Sequence, residues 1–189
     1  MRSAASSVAL WTLVLLGCAG APDAAWTGPA PLHGVIYDYA GAPLGWVELR
    51  VDDGPPVYSD IHGRFTLPPI TAGNYRVQAG RAGYETIRSD VTFTSRSDVL
   101  YLRLRSVAEL VVQIQEALDD GDPATAIELL QAGLPANAED AQLRFLLALA
   151  RARTGDVAAA LDELEWFPSE GPPAAVELLR LRLGEGGAP

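Results

Sequence analysis

The chain has few side chains that could take part in covalent chemistry, and its single cysteine, Cys18, is the most distinctive of them. A lone thiol can be a nucleophile, a metal ligand, a small buried apolar group or a site of covalent modification. The chain has no second cysteine, and its two histidines are His33 and His62. The sequence therefore offers Cys18 no disulfide partner and no nearby set of zinc ligands.

The other polar residues do not form a pattern typical of an enzyme. The sequence has no activated-nucleophile motif, no histidine spacing suited to a metal and no glycine loop that would hold phosphate before a helix. The carboxylate pairs Asp52–Asp53 and Asp119–Asp120 lie in segments predicted as turns. We therefore expect a non-enzymatic protein without a cofactor; an enzyme would need a complete hydrolytic site assembled only by the fold.

A metal site in the loops is an alternative use for four residues, Asp52, Asp53, Asp60 and His62. Calcium requires six or more oxygen ligands, and structural zinc prefers a closed set of nitrogen and sulfur ligands. The four residues fall short of the zinc set. We expect no bound metal, with calcium in these loops as the alternative.

Composition and charge limit the classes of partner. Of the 189 residues, 49% are hydrophobic, which is enough for a packed core in one domain or two small ones. The formal net charge is -10. Because binding to nucleic acid requires a basic surface, this charge argues against a nucleic-acid partner.

The segment before Cys18 is typical of an exported protein. A nine-residue apolar run, Val8–Leu16, which includes Thr12, follows the short basic start Met1–Arg2. A helix that spans a bilayer needs ~20 residues, so this run matches the core of a signal peptide instead. We assign residues 1–17 to that signal peptide.

Leu15, Leu16 and Gly17, directly before Cys18 (LLGC), resemble the lipobox of bacterial lipoproteins. In that family the cysteine thiol is joined to diacylglycerol, the chain is cut just before the cysteine, and the new amine is usually acylated. The resemblance implies that Cys18 is the lipid attachment site and that acyl chains anchor the protein to a membrane. The alternative is an ordinary signal peptide cleaved nearby, with Cys18 unmodified.

Residues 18–31 are rich in Gly, Pro and Ala and show neither helical nor strand periodicity. This composition predicts a flexible tether that carries the lipid. The residue after Cys18 is Ala19 rather than aspartate, which by analogy with lipoprotein sorting in two-membrane bacteria favours the outer membrane. We therefore expect a lipid-anchored protein of the cell envelope.

Residues 32–105 alternate between apolar and polar side chains, which predicts strands with one buried face. Val47, Leu49 and Val51 share one face, and the segment 100–105 (LYLRLR) places its leucines opposite its arginines. Turn residues interrupt these runs every eight to twelve positions. Short strands at this spacing predict an antiparallel β-sandwich.

Three segments of this region resemble the carboxypeptidase regulatory-like domain: Gly34–Asp38 (GVIYD), Ser59–Phe65 (SDIHGRF) and Gly73–Val77 (GNYRV). The resemblance covers residues from about 33 to 104, in the order and spacing of that family. It implies a seven-stranded antiparallel Greek-key β-sandwich of the transthyretin-like type, without catalytic residues of its own. Such domains commonly occur as accessory modules of secreted enzymes, surface proteins and outer-membrane receptors.

From Ser106 onward the apolar period becomes that of amphipathic helices, which predicts a separate all-α region over residues 106–189. Ser106 and Glu109 form a capping box for the first helix, and Asp122 with Pro123 begins the second. The pattern further predicts a third helix from Asn137, a fourth capped by Asp156 and closed by Pro168, and a fifth from about Pro173 to Leu183.

An internal repeat relates these helices. Gly121–Leu130 aligns with Gly155–Leu164, and the offset of 34 residues is the tetratricopeptide period. The glycine–aspartate start and the alanine four residues after the aspartate resemble the second helix of a tetratricopeptide repeat. The aromatic residues expected on the first helix of each repeat are mostly missing. We expect a short tetratricopeptide-like helical array, and whether it has the family's ligand groove is left open.

The acidity lies almost entirely in the helical region: residues 106–189 hold fifteen acidic side chains and five arginines, whereas residues 31–105 hold eight of each sign. The simplest interpretation is a solvated outer face. The alternative is an acidic surface that docks a basic segment of a partner. Arg144 and Arg151 share a face of the third predicted helix, where they could bind a partner's carboxylate or pair with nearby acidic residues.

Two functional hypotheses from different classes follow. In the first, a non-enzymatic envelope lipoprotein acts as a scaffold or adaptor and binds protein partners through its helical repeats. In the second, the β-sandwich is a carbohydrate- or surface-binding module, with Trp46, Tyr58 and Tyr84 as stacking side chains. Trp46 falls on the outward phase of its strand, so we expect it to be exposed and available to a partner.

Overall fold

The computed structural model describes residue 26 and residues 28–185. Within this range a β-rich part with two sheets is followed by five helices. Among the described helices, none is both long and apolar enough to cross a membrane. The predicted signal peptide, the lipobox residues, Cys18 and most of the predicted tether lie outside the described residues.

The described range contains seven strands. Their bounds are β1 Ala30–Asp38, β2 Glu48–Val51, β3 Val57–Tyr58, β4 Arg64–Ile70, β5 Gly73–Gly80, β6 Thr86–Phe93 and β7 Val99–Leu104. A three-stranded sheet has the order β4-β1-β7, and a four-stranded sheet has the order β3-β2-β5-β6. The two sheets enclose a common apolar cluster, and we call residues 30–104 the sandwich.

The core of the sandwich lies where the alternation of the sequence predicts it. Val47 and Leu49 are fully buried, and Val51 packs against the same cluster. Along β7 the leucines point into the core, whereas Tyr101 and Arg103 are exposed. A period of two therefore identifies the buried faces correctly.

The turn before β4 is fixed by one carboxylate and one glycine. Asp60 accepts the backbone N–H groups of His62 and Arg64 at 2.8 and 2.9 Å, and the Arg64 bond is the main reason that the pKa of Asp60 lies below its usual value. Gly63 has a φ of 73°, and a Cβ there would lie 2.3 Å from the carbonyl oxygen of Ile36. Glycine is therefore required both for the conformation and for the close approach.

One strand pairing differs from the antiparallel arrangement that the sequence predicts. β1 is antiparallel to β4 but parallel to β7, with His33 opposite Val99 and Asp38 opposite Leu104. The reason is the route of the chain, which crosses from β6 in the four-stranded sheet to the other sheet and enters beside β1. Parallel pairs require such a crossover, and turn spacing alone does not reveal it.

The described part of the predicted tether contacts the sandwich. β1 begins at Ala30, two residues before the boundary expected at residue 32. Trp26 packs against the sandwich core and its indole N–H is buried. The Gly-, Pro- and Ala-rich composition obscured this contact because Trp26 is isolated among small residues.

The helices are α1 Val107–Asp119, α2 Pro123–Gly133, α3 Ala141–Arg153, α4 Val157–Glu165 and α5 Ala174–Glu185, and we call residues 107–185 the helical part. The predicted capping box is formed, with the Glu109 N–H 3.2 Å from Ser106 Oγ and the Ser106 N–H 2.8 Å from the Glu109 carboxylate. Asp122 caps α2 with Pro123 in the first turn, as predicted. Local polar residues therefore set these helix starts.

The third helix begins at Ala141, four residues after the predicted start at Asn137. Its cap is Asp140, whose carboxylate accepts two backbone N–H groups of the first turn. The chain from 134 to 136 forms a short 3₁₀ turn, and the side chain of Asn137 bonds outside α3, to the carbonyl of Tyr84. The prediction was wrong because Asn137 serves a tertiary contact rather than a helix cap.

The two copies of the sequence repeat have the same local structure. In each copy the glycine has a positive φ, 74° in the first and 84° in the second. The aspartate that follows caps the next helix, and the alanine four residues later is fully buried. The matched residues are Gly121 and Gly155, Asp122 and Asp156, and Ala126 and Ala160.

A polar network joins the sandwich to the helical part. Glu85 is 2% exposed. Its carboxylate accepts the backbone N–H of Arg105 at 2.7 Å, and its shortest bond from the Arg105 guanidinium group is also 2.7 Å. Arg105 also donates to Gln113 of α1 at 2.7 Å. Asn137 accepts from and donates to the backbone of residues 83–84. These bonds join the two parts, and those of Glu85, Arg105 and the Tyr84 carbonyl satisfy groups that are buried or partly buried.

Candidate functional site

Arg144 and Arg151 both contact a carboxylate of their own chain. Their guanidinium groups lie 3.6 and 3.4 Å from the Glu163 carboxylate of α4. Arg144 also lies over the ring of Trp166, 5.0 Å from its centroid, and donates to the carbonyl of Ala138. The structure therefore has the internal pairing that was one of the two sequence interpretations.

Two further arginines of the helical part bind main-chain carbonyl groups. Arg153 donates to Leu118, and Arg180 donates to Leu164 and Phe167. Four of the five arginines of this part are thus engaged within it. Its solvent-facing surface is consequently acidic. The exposed carboxylates include Glu116, Asp119, Asp120, Glu128, Glu139, Asp162, Glu165, Glu170 and Glu177.

The residues considered as metal ligands make other contacts or face solvent. Asp52 accepts the backbone N–H of Arg76 at 2.8 Å, and Asp60 holds the turn before β4. Asp53 and His62 are exposed. Over residues 26 and 28–185, no group of three or more His, Cys, Asp or Glu side chains is placed to hold a metal ion.

Trp46 is 69% exposed, and its backbone conformation is unfavourable. Its φ of 61° lies in the left-handed region, where a bulky residue costs on the order of 1–3 kcal/mol. Two hydrogen bonds to Ser59 hold the segment in this conformation. The Trp46 N–H donates to the Ser59 carbonyl, and the Val47 N–H donates to Ser59 Oγ, each at 3.0 Å. Ser59 is buried and donates to the carbonyl of Leu44 at 2.8 Å. The fold therefore keeps an indole ring in solvent at a cost to stability.

Trp46 lines an open cleft of about 480 Å³ between the sandwich and the helical part. Outward-facing residues of the four-stranded sheet line it as well, among them Glu48, Tyr58 and Gln78. The helical part contributes residues 135–136, directly after α2. We call this space the junction cleft, because both parts of the chain are needed to form it.

A fixed polar network lies in the junction cleft. The Glu48 carboxylate accepts bonds from the Tyr58 hydroxyl at 3.1 Å and from Arg50 Nε at 2.9 Å. The bond to Glu48 raises the pKa of Tyr58 above its usual value. Arg81 is held by a bond to the carbonyl of Gly45 at 2.8 Å. The cleft therefore presents hydrogen-bonding groups in set positions beside two aromatic rings.

A second hollow, of about 650 Å³, adjoins the junction cleft at the edge of the sandwich. The two spaces share Trp46 and Tyr58, which we call the aromatic ridge. Tyr58 is 56% exposed. Asp60 and Arg64, which are paired at 3.1 Å, also line the second hollow. We call this second hollow the edge hollow.

The structure brings together two of the three predicted stacking residues. Tyr84 lies apart, half-buried against the sandwich core with Arg81 5.5 Å from its ring centroid. The sequence pattern did not single out Glu48 and Arg50, although their outward phase on β2 was an available signal. The contribution of Pro135 depends on how the two parts dock, and no local pattern indicates it.

No protein-family model matches the sequence, and no curated protein matches it. Among solved structures, a chain from a C-terminal interface mutant of the type II cohesin–X-dockerin complex of Acetivibrio cellulolyticus is similar. The two chains are 18% identical, the alignment covers 46% of this chain and 72% of the other, and the TM-score is 0.35. This similarity is too low to assign a family or a function.

Proposed function

We propose that the protein is a non-enzymatic scaffold of the cell envelope, anchored by lipid at Cys18, whose helical part binds a basic segment of a partner protein. The observation that carries the proposal is the internal engagement of four of the five arginines of the helical part. The charges that a partner would meet are therefore mainly carboxylates. Complementary charge of this kind speeds encounter and disfavours acidic competitors.

The repeated helical hairpin supports the same proposal. Both copies have a capping aspartate, a left-handed glycine and a buried alanine, at an offset of 34 residues. We infer a tetratricopeptide-like array, and stacked helical repeats form extended surfaces that bind peptides and proteins. The sandwich, as a Greek-key domain of the carboxypeptidase regulatory-like type, would act as the accessory module between the membrane and the array.

The anchor rests on the lipobox resemblance of Leu15, Leu16, Gly17 and Cys18. Acylation of Cys18 would hold the protein on the membrane stably, since each buried CH₂ group contributes ~0.8 kcal/mol. Ala19 after the cysteine favours the outer membrane. The tether would then set the distance between the sandwich and the lipid surface.

The experiment is capture of partners from detergent-solubilised envelopes with matched forms of the full chain. One variant removes acidity from the helical part by Glu116→Gln, Asp119→Asn and Glu128→Gln, at exposed positions. The control removes acidity from the sandwich by Asp53→Asn and Asp90→Asn. We expect wild type and control to retain the same basic partner at low salt and release it as salt rises, because exposed charges are screened.

The helical variant should lose that partner. A partner retained equally by the helical variant would contradict docking on the acidic surface. The anchor is tested separately by fractionation of the wild type beside a Cys18→Ala form. We expect the wild type in the membrane fraction, because acylated Cys18 holds it there. A wild type found in the soluble fraction, with no change in Cys18→Ala, would contradict the lipid anchor.

Saccharide binding by the sandwich is a second candidate function. One observation favours it: Trp46 and Tyr58, both exposed, lie together between two adjoining hollows. Exposed aromatic side chains on a rigid sheet are suited to ligands that have an apolar face and polar edges. Tyr84 does not take part, because it is half-buried.

A further inference from the structure

We propose that the junction cleft and the edge hollow form a single groove that binds an oligosaccharide, with the aromatic ridge of Trp46 and Tyr58 as its stacking surface. This inference rests on the second candidate function and locates it in one site. It assigns the helical part a role in that site, because residues 135–136 line the junction cleft.

The aromatic ridge matches the chemistry of a pyranose ring. A sugar ring has an apolar face of C–H groups and an edge of hydroxyl groups. Trp46 and Tyr58 are 69% and 56% exposed and can offer broad apolar faces to such a ring. Because aromatic side chains have few rotatable bonds, ordering them on a ligand costs little entropy.

The polar groups of the groove match the hydroxyl edge. A hydroxyl group both donates and accepts, so its site needs acceptors and donors side by side. Glu48 supplies an acceptor that Tyr58 and Arg50 hold in place, and Gln78 supplies both kinds of group. These bonds already orient the groups that a ligand would meet, which lowers the cost of ordering them.

Charge balance favours a neutral ligand. Glu48 pairs with Arg50 at 2.9 Å in the junction cleft, and Asp60 pairs with Arg64 at 3.1 Å in the edge hollow. Arg81 adds one further cation to the junction cleft, where it is bound to the carbonyl of Gly45. One such cation is fewer than the cluster that phosphate recognition requires. A neutral glycan fits this lining better than a phosphorylated or nucleic-acid ligand.

The size of the groove favours an oligosaccharide over a single sugar. The two spaces measure about 480 and 650 Å³, and each is within the range of a small-molecule site. Since they share the aromatic ridge, one extended ligand could pass from one to the other. A peptide that adds a strand to the sheet is a poorer fit, because the edge strand β3 has only two residues.

The backbone of Trp46 is the second, independent support. An indole group held at a φ of 61° by bonds to buried Ser59 costs stability without contributing to the core. Strain of this kind is found where a position serves binding or catalysis. Glycine adopts this conformation without penalty, so Trp46→Gly should remove the ring and relieve the strain together.

The test is calorimetric titration of the full chain, in a detergent without a sugar headgroup. The probes are oligosaccharides of β-1,4-linked glucose, α-1,4-linked glucose and β-1,4-linked N-acetylglucosamine. We expect the wild type to bind one of them, and Trp46→Gly to weaken that binding about tenfold or more through loss of stacking. The same variant should raise the urea midpoint of unfolding. The matched control is Tyr101→Ala, an aromatic residue 68% exposed on the other sheet, which should leave the affinity unchanged.

Different results would contradict different parts of the account. If no probe binds the wild type at millimolar concentration, the saccharide function itself fails. If a probe binds wild type and Trp46→Gly equally, saccharide binding stands and this groove is the wrong site. If Trp46→Gly lowers the urea midpoint, Trp46 has a structural role and the strain argument is wrong.

Discussion

Two buried polar side chains hold the most constrained positions of the sandwich. Ser59 fixes the backbone at Trp46, and Glu85 binds the guanidinium group and backbone N–H of Arg105. Both are almost inaccessible, at 1% and 2% exposed. Strand alternation predicted an exposed Trp46, but Trp46 lies in a bend before β2 and not on the strand. Its positive φ was not predicted, because bonds to Ser59 set it.

The Glu85→Ala variant should destabilise the protein strongly. Removing the buried carboxylate leaves the Arg105 N–H and guanidinium group without their acceptor, although the Arg105 side chain keeps 24% exposure to solvent. Leaving such groups without a partner costs about 1–3 kcal/mol. The free energy of unfolding in urea measures the effect. The control, Asp90→Ala, breaks an exposed pair with Arg76 and should cost less than about 1 kcal/mol; equal losses would contradict the account.

Most helix starts are set by neighbouring residues and were predicted from the sequence. The strand pairing and the start of α3 were not. Ser106 and Glu109 bind each other across one helical turn, so the motif is complete in the sequence. The parallel pairing of β1 with β7 and the start of α3 after Asn137 both depend on contacts between distant segments. Local patterns contain no information about such contacts.

Stability should depend on pH through Glu109. The bond from the Ser106 backbone N–H is the main reason that the pKa of Glu109 lies below its usual value. A carboxylate with a lowered folded-state pKa stabilises the fold above its unfolded pKa of about 4.3, and this contribution is lost as pH falls through the folded value. Glu109→Gln should therefore destabilise at pH 7 and differ less from wild type as pH falls below about 4. Urea unfolding at both pH values checks this, with Glu116→Gln, an exposed residue of the same helix, as control. A loss of unfolding free energy in Glu109→Gln that stays constant with pH would contradict this prediction.

Polar contacts join the two parts of the molecule. Asn137 accepts the N–H of Gly83 at 2.6 Å and donates to the carbonyl groups of Tyr84 and Gly133 at 2.7 Å. This contact positions residues 135–136 beside the sandwich, where they complete the junction cleft. The sequence predicted two separate regions, and the shared cleft could not be predicted because it exists only once they dock.

The Asn137→Ala variant should loosen that docking. The exposed Gly83 N–H can bond water instead, so the cost of about 1 kcal/mol comes mainly from the partly buried carbonyl groups of Tyr84 and Gly133. Hydrogen exchange should become faster at Gly83, and affinity for any saccharide bound in the junction cleft should fall. Asn74→Ala removes a side-chain bond to Thr92 on the sheet surface, and it should change neither property. Unchanged exchange at Gly83 in Asn137→Ala would show that other contacts hold the two parts together.

The proposed role of the whole chain depends on its being tethered, since a scaffold of the envelope must be held there. The most direct measurement is the mass of the N-terminal peptide of the protein purified from envelopes of the producing cell. We expect a mature chain that begins at Cys18 with diacylglycerol on the sulfur. A chain that begins at another residue, or one with a free Cys18 thiol, would contradict the lipid anchor and with it the proposed envelope scaffold.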